Sequence, residues 1–406
     1  MEPIRTGEGL TALKKQELEL VEGLLQDFPG RSDSLAVMGN VWYRHGNVIE
    51  AEKFWKETLK INPKQVDVHR SMGWLFLKKG DYEQSITHYR KALEIQPQLS
   101  DVHSNIGRAL MMSGRHSEAI EELEEEIQIA PKSSFAFFLL GQTHFQRKEY
   151  DEAKKYYEMA ISIEPDYTNV YYGLTAVCTR LGHRDQAKVY SATFRKLKAE
   201  ARQGLKVRKT EYDDFAETQK NAAITYINVG QMYRENGKLP KAEELLKYAA
   251  GLDPNNVVSY LQLASLYQTD KQPVKVLQMY RRISEIQPEA SMPYLVIGML
   301  SGQLKRYDDS EQAFRKLIGL APKTSNGYRE LARLYLKMRK NLPQARQLAY
   351  QALKLEVSAA NCFVFAWACD ENGDRTNAQA AIKRAMTLDP KNQQYQRLYQ
   401  VIQQRK

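Results

Sequence analysis

Residues 223–256 read AITYINVGQMYRENGKLPKAEELLKYAAGLDPNN, and the fold follows from this stretch. Tyr226, Val229, Gly230 and Tyr233 fall at i, i+3, i+4 and i+7, one face of an α-helix. Gly237 marks a turn. Ala242, Leu246 and Ala249 then define a second helical segment, which closes before Pro254. A glycine inside a helix costs about 1 kcal/mol relative to alanine. Gly230 therefore marks a place where two backbones must approach closely. The stretch predicts two antiparallel helices whose large and small side chains interdigitate.

The same stretch recurs along the chain. Prolines fall at Pro29, Pro63, Pro97, Pro131 and Pro165, each 34 residues after the last. The spacing resumes at Pro254, Pro288 and Pro322, and Pro390 lies 68 residues further on. A fixed period of this length signals stacked repeats and overrides the two or three domains that 406 residues would otherwise suggest. With the closing proline as position 32, position 8 is Gly39, Gly73, Gly107, Gly141, Gly230 and Gly298, or Ala264, Ala332 and Ala366. Position 20 is small (Ala51, Ala119, Ala153, Ala187, Ala242, Ala378) and position 24 large (Trp55, Tyr89, Tyr157, Leu246, Tyr280, Phe314). Ten units start near residues 32, 66, 100, 134, 168, 223, 257, 291, 325 and 359.

This pattern resembles the tetratricopeptide repeat, a helix-turn-helix unit of 34 residues, across essentially the whole chain. The resemblance implies an all-α, right-handed superhelical solenoid of about ten repeats with capping helices at both ends. The expected parts are an N-terminal capping helix (1–31), an array of five repeats (32–203), a basic seam or linker (204–222), a second array of five (223–390) and a C-terminal capping helix (391–406). Val21, Leu24, Leu25 and Phe28 give the first cap an apolar side, and Tyr395, Leu398, Tyr399 and Ile402 give the second one. Departures are local: Thr175 at position 8 of the fifth unit, an extra residue near Asn341, Val357 in place of proline, and Glu126 in place of a small residue.

The ruler breaks between Pro165 and Pro254, which lie two periods plus 21 residues apart. The fifth unit's second helix is expected to overrun to about Gln203, with a new helix from near Glu211. Residues 195–209 (RKLKAEARQGLKVRK) carry Arg195, Lys196, Lys198, Arg202, Lys206, Arg208 and Lys209 against Glu200 alone. Such a segment can bind anions, or it can be a solvated helix end. Nucleic acid is not the expected partner, because the segment has no aromatic residue on which bases could stack. The glutamates from Glu118 to Glu126 are expected to form a solvated outer face.

Catalytic signatures are missing. Gly7 and Gly9 have no preceding strand and no third glycine, and there is no P-loop, GxSxG, HExxH or CxxC. Cys178, Cys362 and Cys369 fall at core positions and predict buried thiols, not a disulfide framework. The seven histidines lie between His45 and His183 at packing or unrelated positions, so no metal and no cofactor is expected. No apolar run approaches the roughly 20 residues of a membrane span. With no apolar stretch over residues 1–9, the expected compartment is the cytoplasm.

In tetratricopeptide proteins the first helices line the concave face, and positions 2, 5, 9, 12 and 13 usually meet the ligand. Carried over by position, the resemblance implies a groove of Tyr43, Arg70, Trp74, Arg108, Met111, Phe138, Gln142, Phe145, Tyr172 and Arg180 in the first array. The second array contributes Leu261, Met292, Met299, Arg329, Arg333, Phe363 and Trp367. Aromatic, methionine and arginine side chains have the composition of protein-binding hot spots. The family's clamp for chaperone-tail carboxylates is not matched: Asn40 fits, but Ala36, Ser71, Asp101 and Asn105 fill the other clamp positions. The expected function is a non-enzymatic scaffold or adaptor holding a protein or peptide. The alternatives are a self-assembling structural subunit, hence a homo-oligomer, and a binder of anionic surfaces through 195–209.

Overall fold

The computed structural model describes residues 6–211 and 214–404, with side chains described for 9–203 and 215–404. All regular elements among them are α-helices. The chain forms two compact units, Met1–Gln219 and Lys220–Lys406.

In the first unit a leading helix, α1 (Thr6–Asp27), precedes five hairpins. These are α2 (Ser32–Arg44) with α3 (Val48–Ile61), α4 (Val66–Lys79) with α5 (Tyr82–Ile95), and α6 (Val102–Met112) with α7 (His116–Ile129). α8 (Ser134–Gln146) with α9 (Tyr150–Ile163) and α10 (Thr168–Arg180) with α11 (Arg184–Glu211) complete it. α12 (Asp214–Glu235) leads into the second unit and pairs with α13 (Leu239–Leu252). Four more hairpins follow: α14 (Val257–Thr269) with α15 (Pro273–Ile286), α16 (Ser291–Gln303) with α17 (Tyr307–Leu320), α18 (Ser325–Met338) with α19 (Leu342–Leu355), and α20 (Ala359–Glu371) with α21 (Arg375–Leu388). The last helix is α22 (Gln393–Gln404).

The small residue at position 8 does what the sequence requires of it. A Cβ on Gly39 would lie 2.5 Å from the Trp55 ring, and one on Gly298 would lie 2.4 Å from Phe314. Position 24 of the second helix thus presses directly on the backbone of the first. Side chains from successive hairpins then merge into shared clusters: in the first unit one gathers Ala51, Trp55, Val68, Met72 and Leu75, and another runs from Leu77 to Val177. The turn between the helices needs a left-handed residue at position 15, filled by glycine at Gly80 (φ 79°) but by Lys148 (φ 63°), Lys271 and Lys305 elsewhere.

Both end helices bury two of the four residues read from the sequence, and Leu25, Phe28, Leu398 and Tyr399 are half-buried. Val21 and Leu24 of α1 are fully buried, as is Ile402 of α22, with Tyr395 nearly so. α1 is further pinned by Glu17, whose buried carboxylate accepts 2.7 Å bonds from Arg44 Nη2 and His45 Nε2.

Two expectations change. The helix predicted to stop near Gln203 runs on to Glu211, and the next starts at Asp214 instead of near Glu211. Gly204 alone costs about 1 kcal/mol, and the leucine, lysines and arginine that follow are good helix formers. The glutamate run is not solvated throughout either. Glu126 is fully buried, and its carboxylate accepts from the backbone N–H of Asp101 (2.9 Å) and Ser104 (3.2 Å). It caps α6, whose own N-cap residue, Asp101 (φ 69°), makes no side-chain cap.

His69 and His88 meet inside the second hairpin with their Nδ1 atoms 3.0 Å apart. His69 Nε2–H donates to the Pro63 carbonyl at 2.9 Å, so His69 Nδ1 accepts and His88 Nδ1–H donates. Burial, then the neighbouring His69, holds His88 down at about 4, and burial also lowers His69. Lys56, Lys91, Glu52 and Glu94 are the charged groups around the pair. At pH 7 both rings are neutral in the fold and mostly neutral in the unfolded chain. As pH falls from about 6.5 toward 4, the unfolded chain takes up protons that the folded pair refuses, so stability drops across that window. The loss from His88 approaches at most roughly 3 kcal/mol. Urea unfolding at several pH values should show His88→Gln flattening this slope, and an unchanged slope would contradict the assignment.

Candidate functional site

The inner faces of α2, α4 and α6 enclose a concavity of about 480 Å³. Tyr43 and Asn40 line it from α2, Arg70, Ser71 and Trp74 from α4, and Asn105 from α6. The hydrogen bonds around it leave specific atoms for a ligand. Asn40 Oδ1 accepts from Trp55 Nε1 at 3.0 Å, which turns the Asn40 amide donors away from Trp55. Tyr43 packs on Trp55 with ring centres 5.5 Å apart. Arg70 stands 3.8 Å from Asp67, at the limit of an ion pair, with its side chain 42% exposed. Its guanidinium is therefore accessible. The Trp74 ring carries Lys78 Nζ at 4.6 Å and the Arg108 guanidinium at 5.9 Å. Cation–π attraction there is worth about 0.5–1 kcal/mol each, and it keeps two positive charges beside an apolar plate.

Tyr43, Arg70, Trp74 and Arg108 are thus brought together. Met111 and Phe138 are not available in the same way, which corrects the expectation for them. Met111 is 6% exposed within the core, and Phe138 is packed between Tyr157 and Tyr167, with ring centres at 6.1 and 5.1 Å. The position rule places them on the inner side of their helices, but Phe138 is covered by Tyr157 of its own hairpin and Tyr167 just before the next, and Met111 is taken into the core. Gln142 and Phe145 are half-buried, and Phe145 packs on Tyr150. Tyr172 is well exposed against Phe194 (5.6 Å), and Arg180 is exposed.

Two wall residues escaped the sequence reading although the same frame reaches them: Asp67 at position 2 and Arg44 at position 13. Trp55 and Tyr89 also line the concavity. As position-24 residues they read only as packing, and nothing in the periodicity shows that their edges reach the inner surface.

In the second unit Met292 and Met299 are about half exposed, and Leu261 is half-buried. Met299 and Arg333 share a small cleft with Phe314 and Glu330. Glu330 is buried, and its carboxylate holds Arg329 at 2.8 Å and Arg333 at 3.5 Å. Arg329 is therefore committed within the fold, whereas Arg333 keeps a side chain 45% exposed. Phe363 packs with tilted rings against Trp367 (6.3 Å) and Tyr395 of the last helix (5.1 Å).

Of the basic segment, Arg195, Lys196, Lys198 and Arg202 are exposed on α11. The side chains of Lys206, Arg208 and Lys209 lie outside the described residues. The three cysteines are buried and free. Burial pushes the Cys369 thiol up to about 11 and raises Cys178 and Cys362 as well, which makes all three poor nucleophiles. Among the described residues no three His, Cys, Asp or Glu side chains are grouped to hold a metal ion. No described helix is long and apolar enough to cross a membrane.

Family models for the tetratricopeptide repeat match residues 73–114, 134–167, 293–324 and 359–392. With repeats of this kind in both units, the chain is a tetratricopeptide-repeat protein, and each unit is an all-α stack of helical hairpins. Solved structures with a similar chain path include MamA, at 22% identity over 41% of this chain and 97% of that one, TM-score 0.39. YrrB, described as a TPR protein with an unusual peptide-binding site, is 13% identical over 44% of this chain and 92% of its own, TM-score 0.38. Yeast Tom70 is 15% identical over 92% of this chain and 95% of its own, TM-score 0.36. A comparison with curated proteins gave no match.

Proposed function

We propose that this chain is a non-enzymatic scaffold that holds a protein or peptide segment in the concavity of α2, α4 and α6. The supporting observation is the juxtaposition, on a recessed wall, of Trp74 with the accessible guanidinium of Arg70, while the guanidinium of the half-buried Arg108 lies 5.9 Å from the Trp74 ring. Trp74 and Tyr43 would bury an apolar side chain of the partner, while Arg70 and Arg108 pair with its carboxylates. Asn40 and Ser71 are placed to hydrogen-bond its backbone. Met292, Met299 and Arg333 offer the second unit a more apolar surface for the same kind of partner. The poorly reactive buried thiols suit the cytoplasm, the compartment we assign.

Panning a displayed library of random 15-residue peptides on the wild type should enrich ligands of this site. Calorimetry of an enriched peptide is expected to show at least about 30-fold weaker binding to Arg70→Ala/Trp74→Ala, since truncating such anchors costs about 2 kcal/mol or more. Phe138 is left intact because its truncation would open the core. Equal affinity for a folded double variant would refute the assignment.

A further inference from the structure

The fifth hairpin ends its stack differently from the four before it. In those, the positions that receive the next hairpin are apolar: Trp55, Tyr89, Leu123 and Tyr157 at position 24, and Leu59, Leu93, Ile127 and Ile161 at position 28. In α11 the same positions are Ser191 and Arg195, and Arg184 stands where Val48, Tyr82 and Tyr150 pack elsewhere. A polar end face is what any capping repeat needs. This face, however, is not a mixed polar surface but a cationic one.

At 3.6 residues per turn, Arg184, Lys188, Arg195, Lys198 and Arg202 fall within about 40° of a single line along α11. All five are exposed. The acidic residues of this stretch, Asp185 and Glu200, lie about 100° and 160° away from that line. They pair sideways, Asp185 with Lys188 (3.4 Å) and Glu200 with Lys196 (4.0 Å). The stripe is about 27 Å long, and the same spacing continues in the sequence at Lys206 and Lys209. Its first half borders a depression of about 690 Å³ lined by Arg184, Lys188 and Arg195 with the hydroxyls of Thr179 and Ser191. At its edge, Tyr172 is 66% exposed and rests on Phe194, over which Lys198 Nζ sits at 5.1 Å.

We infer that α11 and the exposed Tyr172 form a binding face for single-stranded nucleic acid. A straight row of cations tracks a phosphate backbone, and an exposed aromatic ring beside it gives a base a stacking surface. Residues 195–209 alone lack that ring. Packing brings in Tyr172 from α10 and Phe194 from one position before the segment. An acidic protein would need the cations but not the ring, and a lipid surface would favour an apolar face that α11 instead buries on α10.

The test is fluorescence anisotropy of labelled dT20 and rU20 with the full chain, alongside a labelled 20-residue polyglutamate and vesicles with about 30% phosphatidylserine. Five phosphate contacts predict a roughly 500-fold loss of oligonucleotide affinity between about 50 and 300 mM salt. Replacing Lys188, Arg195, Lys198 and Arg202 by Gln should remove binding while circular dichroism and the melting midpoint stay unchanged. The single Arg195→Gln is expected to weaken binding severalfold. Tyr172→Ala should weaken it about tenfold with the salt slope intact. Absence of oligonucleotide binding at low salt would overturn the inference. So would polyglutamate or vesicles binding as tightly as dT20, or Tyr172→Ala binding dT20 like the wild type.

Discussion

Gly141→Val should destabilise the first unit by about 3 kcal/mol, the cost of forcing methyl groups into a packed core. The Tyr157 ring is held between two first helices. A Cβ on Gly141 would lie 2.5 Å from its Cδ1, and one on Gly173 would lie 2.6 Å from its Cζ. The ring is 3% exposed, and burial raises its phenol well above the usual range. It has no room to retreat, so the valine must displace backbone. Helix propensity works the other way, since valine is the better helix former by a few tenths of a kcal/mol. The clash therefore has to outweigh a small gain. Gly251 supplies the control, because a Cβ there meets nothing within 4 Å. Gly251→Ala should stabilise by about 0.5–1 kcal/mol. Urea unfolding of both variants checks the pair, and adding Tyr157→Ala to Gly141→Val should recover part of the loss through non-additivity. A Gly141→Val protein as stable as the wild type would contradict the packing account.

The second large effect is expected at Glu126. In five of the ten units position 27 is alanine (Ala92, Ala160, Ala249, Ala352 and Ala385), so alanine fits the helix packing at this site. What Glu126→Ala removes is the cap on α6. The backbone N–H groups of Asp101 and Ser104 would lose their carboxylate partner next to a buried helix end. Each buried donor left unpaired costs about 1–3 kcal/mol, and a carboxylate at a helix N-terminus adds favourable charge–dipole energy. A total loss of about 2–4 kcal/mol is expected. Hydrogen exchange should locate it, with faster exchange at the start of α6 than in the rest of the unit. Uniform protection would show that the cap is dispensable.

The repeat was legible because it is encoded locally. Gly230, Tyr233, Ala242 and Leu246 fall at helical spacings, and nine prolines on the 34-residue ruler mark the same period along the chain. What escaped was decided by neighbours. Phe138 and Met111 share a helix face with groove residues, and only the packing of Tyr157 and Tyr167 shows Phe138 covered. Glu126 reads like the five other glutamates before it on α7 until α6 is laid beside it. Gly204 resembles a helix stop, but one glycine cannot outweigh the helix formers around it. Trp55 shows the same limit. It is a core residue by position and by burial, yet its edge helps to build the inner wall.

The central claim is that a partner is held by the inner faces of the first helices in the first unit. Hydrogen-exchange mass spectrometry with and without a library-selected peptide tests it directly. Slower exchange confined to α2, α4 and α6 is the predicted result. Protection on α3, α5 and α7 with the first helices unchanged would contradict it.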